Sequence, residues 1–278
     1  MGGMEIIFLN EANLADWQSK ARPNVIALGF FDGVHKGHQK VIGTARREAE
    51  RTGLPLDVMS FFPHPKTVLS GGKVKVDYLI PLEEKARLLE KMGVDRFYIV
   101  TFTRAFASLS PEDYVEQYLL KFGTVHAVAG YDFSYGFKGK GTIDRLHADS
   151  GGRIGVSKVE KVQYRREKIS STRIRSAILG GRIAEVRQLL GRCYTTRAEV
   201  AGGSLSLKEY YMLPQSGIYD VRIGTGSTWH DAQIYVDSDR QTISFMKQCL
   251  LKQIDQQEIA IEWQRRVANH SLYHSVAQ

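Results

Sequence analysis

Strand-like and helix-like segments alternate through the first two-thirds of the chain, and this order constrains the fold more than any other feature. Apolar runs at 24–31 and 56–62 are separated by a helical pattern at 37–52. The alternation continues through the segments 81–93, 95–102, 110–123 and 125–130. Because successive parallel strands need helical crossovers, we predict an α/β domain with a Rossmann-like parallel sheet and helices on both faces.

The residue pattern changes near residue 194. From there onward, short segments alternate apolar and polar residues, at 195–200, 217–223, 232–237, 242–246 and 258–263. This alternation predicts a small antiparallel β-barrel or sandwich rather than further βα units. We therefore predict two domains, an α/β domain over residues 1–185 and a small antiparallel β-barrel-like domain over residues 186–278.

The net charge of the chain indicates which classes of binding partner are favoured. The 278 residues include 38 Lys and Arg against 30 Asp and Glu, a formal net charge of +8 that favours phosphates, nucleic acid or an acidic membrane surface. Cys193 and Cys249 are far apart and lack metal-ligand spacing, which favours a reducing compartment over a disulfide framework. The chain shows neither a basic leader nor a run of about 18 uncharged residues suited to a membrane span. We therefore expect a cytoplasmic protein with no membrane partner.

The most specific local signal is the segment 29–38, GFFDGVHKGH, where a strand-like run passes into a helical pattern. In open α/β sheets ligands bind beyond the carboxyl ends of strands, and a helix N terminus offers free N–H groups to phosphate. The spacing of His35 and His38 places both rings near one face of the first turn, and Gly37 lets a ligand approach the backbone closely. Two alternatives are a turn with unrelated surface histidines and a metal-binding pair, for which no third ligand stands at a suitable spacing.

A second candidate phosphate site lies at the start of a later helical pattern. Ser170, Ser171 and Thr172 precede an apolar periodic segment, and Arg175 follows one turn later. Hydroxyl groups cap free N–H groups, and an arginine presents a planar fork of donors to phosphate. The alternative is plain helix capping. Together with the histidine motif, this helix start could close on the same polyphosphate from the other side.

Three motifs of the chain resemble a known family when they are taken in order. GFFDGVHKGH resembles the signature of the HxGH nucleotidyltransferases and, more closely, the adenylyltransferase module of prokaryotic FAD synthetases. GYDFSYGFKGKG resembles that family's G-x-(D/N)-F-x-(F/Y)-G loop, and KISSTRIR resembles its ISSTxxR element. With the FFPHP stretch, the resemblance extends over roughly residues 20–190.

The resemblance implies a reaction in which the adenylyl group of ATP is transferred to FMN, giving FAD and pyrophosphate, with Mg²⁺ neutralising the triphosphate. It implies that His35, His38 and Arg175 are the catalytic residues. The histidines would bind the α- and β-phosphate oxygens. The residues expected to bind ATP are Gly29, Phe31, Asp32, Gly37, Ser171 and Thr172. No residue is predicted to bind a metal directly.

Two residues are candidates for binding the flavin or the nucleotide. Asp132 stands in the segment 131–141, which reads as a loop, and its alternative role is that of a turn residue that bonds its own backbone. Phe62 could stack on a flavin, although aromatic pairs such as Phe61 and Phe62 are more often part of a core. The family usually has an acid in the place of Phe62, so this chain departs from the pattern there.

The C-terminal segment departs further from the family. In bifunctional members, the resemblance implies a riboflavin kinase barrel with an early Gly-rich segment and a PTAN element that hold ATP phosphates and metal. Residues 194–214 of this chain read YTTRAEVAGGSLSLKEYYMLP and contain neither element. We therefore predict an inactive kinase-like domain over residues 186–278 and a separate riboflavin kinase that supplies FMN.

Two other functions stay open at this point. One is nucleotidyl transfer to another phosphate-bearing acceptor, against which the flavin-type loop at 130–136 argues. The other is a non-catalytic protein that binds flavin or nucleotide. Binding of nucleic acid is not expected, because the positive residues are dispersed and no RNA-reading aromatic motif is present.

Overall fold

The computed structural model describes residues 3–201, 204–246 and 258–269. Its contacts divide the chain into two compact units: unit 1 contains Met1–Val76 and Leu82–Gln163, and unit 2 contains Asp77–Pro81 and Tyr164–Gln278. The contact boundary lies between residues 163 and 164, whereas the sequence predicts a domain boundary between residues 185 and 186. The assignment of functions to residues 1–185 and 186–278 stays a prediction.

Unit 1 is built on a six-stranded parallel sheet. The strands of unit 1 are β1 (Glu5–Leu9), β2 (Asn24–Leu28), β3 (Leu56–Phe62), β4 (Arg96–Thr101), β5 (Thr124–Gly130), β6 (Ser134–Tyr135), β7 (Gly141–Thr142) and β8 (Gly155–Val159). The sheet has the order β1-β4-β3-β2-β5-β8 with all neighbours parallel, and β6 and β7 form a separate antiparallel pair. This architecture confirms the predicted Rossmann-like class and places β2 between β3 and β5.

The helices of unit 1 connect these strands. They are α1 (Leu14–Ser19), α2 (Lys36–Thr52), α3 (Pro65–Leu69), α4 (Leu82–Lys91), α5 (Arg104–Ala107), α6 (Pro111–Tyr118) and α7 (Leu146–Asp149), with 3₁₀ turns at Asp32–Val34, Leu120–Phe122 and Phe137–Gly139. Their ends carry ordinary capping residues. The Ser110 hydroxyl accepts from the Asp113 N–H at 3.0 Å and donates to the Asp113 carboxylate at 2.6 Å. Gly53, with a φ of 67°, ends α2.

The sequence pattern missed β1 and overextended β2. β1 lies at the edge of the sheet, where Ile6 and Phe8 are exposed while Ile7 and Leu9 are buried. Its apolar run is only four residues long, and a run this short does not separate a strand from a buried helix segment. The run predicted as a strand over 24–31 ends as a strand at residue 28, because the chain turns into the left-handed backbone region soon afterwards.

The central strand of unit 1 leads directly to the candidate site. β2 is buried along its whole length, as is typical of an inner strand of a parallel sheet. Ile26 and Leu28 pack into a core cluster that also contains Met59 and Tyr98. Full burial of each such side chain contributes roughly 1.5–3 kcal/mol. The carboxyl end of β2 is therefore a rigid base for the turn that follows.

Unit 2 contains a closed antiparallel barrel. The remaining elements are β9 (Gln163–Tyr164), β10 (Glu167–Lys168), α8 (Ser171–Leu179), α9 (Ile183–Leu190), β11 (Tyr194–Ala201), β12 (Ser204–Leu207), β13 (Gly217–Thr225), β14 (Thr228–Asp237), β15 (Thr242–Phe245) and β16 (Glu258–Asn269). The barrel order is β11-β12-β15-β14-β13-β16, so the predicted barrel or sandwich is a barrel. Inside it, the buried Trp263 indole donates to the Thr196 hydroxyl at 3.0 Å.

The helices before the barrel explain the position of the contact boundary. α8 packs on α9, and α9 packs on β11 and β16. The Tyr78 ring also lies 5.5 Å from the Tyr210 ring, within unit 2. These contacts group residues 77–81 and 164–190 with the barrel.

Few of the predictions about the cellular location of the protein can be compared with the structure. Cys193 is partly buried, and burial raises the pKa of its thiol; Cys249 lies outside the described residues. Within the described ranges, no helix combines the length and apolar character needed to cross a bilayer. A cytoplasmic location stays a prediction.

Candidate active site

The two predicted histidines lie together at the N terminus of α2. His35 caps the helix, because its Nδ1 accepts from the His38 N–H at 3.2 Å. The two imidazole rings stack with centroids 3.6 Å apart and planes 16° apart. When Nδ1 accepts a hydrogen bond, a neutral histidine carries its proton on Nε2. The His35 ring therefore lies at a helix terminus whose dipole favours an anion such as phosphate.

The turn before α2 supports this ring pair from inside the protein. The Phe31 ring is buried and meets the His38 ring edge-on at 5.3 Å. Gly29 provides the space for this ring, because a Cβ at residue 29 would lie 2.9 Å from two of its carbon atoms. Gly37 is the second residue of α2 and is partly exposed. Among these predicted ATP-binding residues, Phe31 and Gly29 thus shape the turn by packing.

A buried lysine that the sequence analysis did not select contacts the same turn. The Lys85 ammonium, on α4, donates to the Phe30 carbonyl at 2.9 Å and lies 4.8 Å from the Phe30 ring centroid. The Ser60 hydroxyl, on β3, donates to the same carbonyl at 2.8 Å. Burial lowers the pKa of Lys85 to about 8, and the negative charge of the buried Asp32 opposes that shift. The predicted residue Asp32 is thus part of a buried charged cluster.

The signal for Lys85 was present in the sequence but easy to overlook. On α4, Lys85 falls on the buried face with Ala86 and Leu89. Lysine is almost never fully buried unless it is paired, so a lysine on an apolar helix face marks a polar contact beneath it. Only the fold shows that this contact is the end of β2.

The Asp132 loop begins where β5 ends, beside the end of β2. Asp132 is exposed at the start of the loop. The segment 131–141 also contains the short strand β6 and the first residue of β7, neither of which the sequence pattern predicts. The Tyr135 hydroxyl donates to the Asp149 carboxylate at 2.6 Å. Gly136 adopts a φ of 69°, and a Cβ at Gly141 would lie 2.3 Å from the Tyr135 ring. The loop therefore packs closely around the Tyr135 ring.

The aromatic pair at the end of β3 divides between two environments. Phe61 packs against the core cluster, with its ring 5.6 Å from that of Phe106. Phe62 is partly exposed, and its carbonyl accepts from the Phe102 N–H at 3.0 Å. The core interpretation therefore describes Phe61. A flavin-binding role for Phe62 stays a prediction.

The second motif lies in unit 2, at the start of α8. The Ser170 hydroxyl accepts from the Arg173 N–H at 3.3 Å and so caps the helix. Ser171 and Thr172 occupy the first two helical positions, with Thr172 exposed. Arg175 donates through Nε to the Asp77 carbonyl. These residues form a regular N-capped helix start with hydroxyl groups beside it.

The Arg173 guanidinium makes several hydrogen bonds. It donates to the Tyr164 carbonyl at 2.9 Å and to the Glu185 carboxylate at 2.8 Å and 3.0 Å. A groove of about 640 Å³ opens beside it, lined by Arg165, Glu167, Lys168, Ser170, Thr172, Arg173, Ser176, Arg182 and Glu185. Arg173 thus holds the segment before α8 against α9.

The predicted site residues fall into two groups. Unit 1 brings the histidine pair together with the turn that contains Phe31 and Asp32. Unit 2 contains Ser171, Thr172 and Arg175. The convergence of the two groups on one polyphosphate stays a prediction. In the segment 194–214, Gly202 and Gly203 lie outside the described residues.

Known proteins match most of this chain in sequence. Residues 17–173 match the family model described as FAD synthetase. The bifunctional riboflavin kinase/FMN adenylyltransferase of Listeria monocytogenes is 43% identical over 218 residues, which cover 74% of this chain and 69% of that protein. The protein of the same name from Bacillus subtilis is 42% identical, covering 72% of this chain and 67% of its own length. The FAD synthetase of Listeria monocytogenes is 33% identical, covering 78% of this chain and 88% of that protein.

A solved structure extends the similarity to both units. The crystal structure of a macrolide-efflux protein from Streptococcus pneumoniae superposes with a TM-score of 0.85 at 26% identity. The match covers 99% of this chain and 96% of that chain. That protein and this chain therefore share one fold over nearly their whole lengths.

Proposed function

The chain belongs to the FAD synthetase family and transfers the adenylyl group of ATP to FMN, and we propose that His35 and His38 bind the phosphates that react. The observation that carries this proposal is the stacked imidazole pair at the N terminus of α2, with centroids 3.6 Å apart. Imidazole N–H groups and the helix terminus supply donors and positive potential at one point. A polyphosphate is the substrate group that such a point suits.

The chemistry places its main demand on positioning and charge. A phosphate oxygen of FMN attacks the α-phosphorus of ATP and forms a new P–O bond. The bond from that phosphorus to the oxygen bridging to the β-phosphorus breaks, and pyrophosphate leaves with the electron pair. Negative charge grows on the α-phosphoryl oxygens and on pyrophosphate, so preorganised donors stabilise the transition state. His35 and His38 supply these donors without forming a covalent intermediate.

The second helix start is proposed to hold the remaining phosphates. Ser171 and Thr172 offer hydroxyl groups, and Arg175 offers a guanidinium whose Nε is fixed by the Asp77 carbonyl. A guanidinium held in this way loses less side-chain freedom on binding phosphate. These three residues would bind the β- and γ-phosphates of ATP.

The acceptor and the metal complete the proposal. Asp132 and Phe62 follow or end strands on either side of β2, where a flavin would lie next to the reacting phosphates. Mg²⁺ is proposed to enter bound to the ATP triphosphate, because such ions often keep most of their ligands from phosphate and water. No group of three His, Cys, Asp or Glu side chains suited to a metal occurs in the parts of the chain that the structure describes.

We also propose that the protein lacks riboflavin kinase activity. The segment 194–214 contains neither the Gly-rich element nor the PTAN element of the kinases. A relative that is named FAD synthetase alone aligns over 88% of its own length. A separate kinase would then supply FMN in the cytoplasm, with adenylyl transfer in residues 1–185 and an inactive kinase-like domain in residues 186–278.

Chromatography of FAD formed from FMN and Mg-ATP tests the role of the histidines. We expect His38→Ala and His35→Ala each to lower kcat by about 10²–10³-fold, since losing one donor to a transition-state oxygen costs about 2.7–4 kcal/mol. His230→Ala, in the barrel, is the matched control and should keep full turnover. Unchanged kcat in both unit 1 variants would remove the proposed role.

The same assay with riboflavin in place of FMN tests the second proposal. The expected result is no FMN and no FAD after prolonged incubation with Mg-ATP. FAD formation from FMN in a parallel sample shows that the enzyme is active. Conversion of riboflavin to FMN by the pure protein would refute the inactive-kinase proposal.

A further inference from the structure

The turn between β2 and α2 has a strained backbone. Phe31 has a φ of 53°, Gly33 of 76° and Val34 of 40°. Left-handed conformations are unfavourable for residues with a Cβ and are genuine outliers for β-branched residues such as valine. Such residues persist only where the surrounding structure fixes them, and they concentrate at functional sites. The histidine turn therefore needs support from outside its own sequence.

Hydrogen bonds supply that support at both ends of the turn. At the entry, the Phe30 carbonyl accepts from the Lys85 ammonium at 2.9 Å and from the Ser60 hydroxyl at 2.8 Å. At the exit, the Gln39 side-chain amide donates to the Val34 carbonyl at 2.8 Å. α4, which carries Lys85, packs directly on the 3₁₀ turn. The strained residues are thus held between two anchored carbonyl groups.

The entry anchor uses a charged group where a neutral one would be easier to bury. Lys85 is 3% exposed and Ser60 is 1% exposed. Burial of an ammonium is unfavourable unless hydrogen bonds and opposite charge compensate for it. Here the compensation comes from the Phe30 carbonyl, the Phe30 ring and the charge of Asp32. All of these groups belong to the turn itself, so the lysine is matched to this backbone geometry.

We propose that Lys85 is a positioning residue for adenylyl transfer, which with Ser60 fixes the Phe30 carbonyl and thereby the turn that presents His35 and His38. This inference rests on the proposed role of the two histidines. The Lys85 ammonium donates to the Phe30 carbonyl, so its effect on the histidines passes through the turn. A misplacement of about 1 Å in a reacting group can lower turnover about 10²-fold.

Steady-state kinetics of the full chain test this role. Lys85→Met keeps an apolar stem but removes the donor, and Ser60→Ala removes the second donor without changing charge. We expect Lys85→Met to lower kcat per folded molecule by about 10²-fold and Ser60→Ala by about 3–10-fold, with the KM for FMN within about twofold of wild type. Lys91→Met, at an exposed position of the same helix, is the matched control and should leave kcat unchanged.

Imidazole NMR signals provide a readout that a general loss of stability would not move. In folded Lys85→Met and Ser60→Ala, the His35 and His38 signals should shift while those of His147 and His230 stay in place. If Lys85→Met does not fold, the kcat and the NMR signals of Ser60→Ala alone test the proposal. Wild-type kcat and unmoved His35 and His38 signals in a folded variant would overturn the proposal. Loss of activity in His38→Ala at the same time would show that the proposed function itself still stands.

Discussion

In the sheet of unit 1, the side where the strands end (the carboxyl edge) and the side where they begin (the amino edge) differ in the hydrogen bonding of their buried charged groups. At the carboxyl edge, the Lys85 ammonium donates to the Phe30 carbonyl and faces the charge of Asp32. Toward the amino edge, Asp57 is fully buried on β3, and neither of its carboxylate oxygens has a hydrogen-bond partner among the described residues. The ammonium thus has a hydrogen-bond acceptor, whereas the carboxylate has no hydrogen-bond donor among the described residues. Removing the charge of Asp57 should therefore stabilise the fold without breaking a hydrogen bond.

The environment of Asp57 explains its state of protonation. Burial raises the pKa of Asp57 to about 7, although the nearby positive charges of Arg96 and Arg22 act to lower it. Asp95 and Glu5 add negative charge and reinforce the increase. A carboxyl group with a raised pKa in the folded state destabilises the fold when it is ionised. This unfavourable contribution grows from about pH 4, where the unfolded group titrates, to about pH 7, and is constant above it.

The largest expected effect is the stabilisation of unit 1 by Asp57→Asn. An asparagine resembles the protonated carboxyl group but cannot ionise. The gain in the free energy of unfolding should be near zero at pH 4 and rise to about 4 kcal/mol at pH 8, because one pKa unit corresponds to about 1.4 kcal/mol. Hydrogen exchange of the β3 amides in wild type and variant measures this difference.

Activity provides the control for the amino edge. Asp57→Asn should leave the kcat for FAD formation unchanged, since Asp57 is near the start of β3 and the histidine turn follows the opposite end of the neighbouring strand. A pH-independent difference in stability would contradict the burial argument. A large loss of kcat would contradict the contrast between the two edges.

The pH dependence of Lys85 is the next largest effect, and it has the opposite sign to that of Asp57. A lysine with a lowered pKa in the folded state weakens the fold while it is charged in both states. Between about pH 8 and pH 10.5 the folded group loses its proton first, so stability relative to Lys85→Met should rise with pH by about 3 kcal/mol. Urea unfolding of wild type and Lys85→Met at several pH values in this range measures the change in stability. Hydrogen exchange of the α4 amides measures it locally. A flat difference would show that the ammonium is not buried as described.

Steric crowding at the carboxyl edge should have a smaller effect on stability but a clear effect on activity. In Gly29→Ala the new methyl group would lie 2.9 Å from two Phe31 ring carbons, so the ring that supports His38 must move. We expect a loss of about 1–3 kcal/mol in stability and a fall in kcat of at least tenfold, since overpacking distorts neighbouring groups. Thermal unfolding and FAD formation measure both quantities.

Gly43→Ala is the matched control for this crowding. At Gly43, on α2, the nearest atom to an added Cβ is an arginine nitrogen 4.0 Å away. Alanine in a helix interior is favoured over glycine by about 0.5–1 kcal/mol, so this variant should be slightly more stable and fully active. Equal effects of the two variants would show that the Phe31 ring adapts freely.

Much of the fold could be predicted from the sequence, because its periodicity and punctuation are local. The strand at Leu56–Phe62 was predicted with the bounds the structure has. β1 was not predicted, because its apolar run of four residues is too short to indicate a strand. Its position beside β4 is decided by contacts distant in sequence. Closure of the barrel likewise depends on the pairing of β11 with β16, which no local pattern contains.

The candidate site was predictable only in part, for a related reason. The spacing of His35 and His38 predicts two rings on one helical turn, and the structure shows them stacked. The anchors Ser60 and Lys85 are 25 residues apart and meet only because β3 and α4 pack beside the end of β2. Gly29 leaves room for the Phe31 ring. The left-handed backbone conformation of Phe31, which places that ring there, cannot be predicted from residue types.

The smallest expected effect concerns the surface charge beside Asp57. Glu5 and Arg96 form an ion pair at 3.0 Å, but the Glu5 side chain is 47% exposed, and such pairs contribute at most about 1 kcal/mol. Glu5→Gln removes a negative charge that raises the pKa of Asp57, and it also removes the ion-pair partner of Arg96. The pKa of Asp57, followed by NMR titration, should therefore fall by a fraction of a pH unit, while Glu83→Gln on α4 leaves it unmoved. A rise in the pKa of Asp57 would instead mean that Glu5 holds the Arg96 guanidinium near Asp57. The amino edge would then stabilise its buried carboxylate through this ion pair, although the carboxylate itself has no hydrogen-bond donor among the described residues.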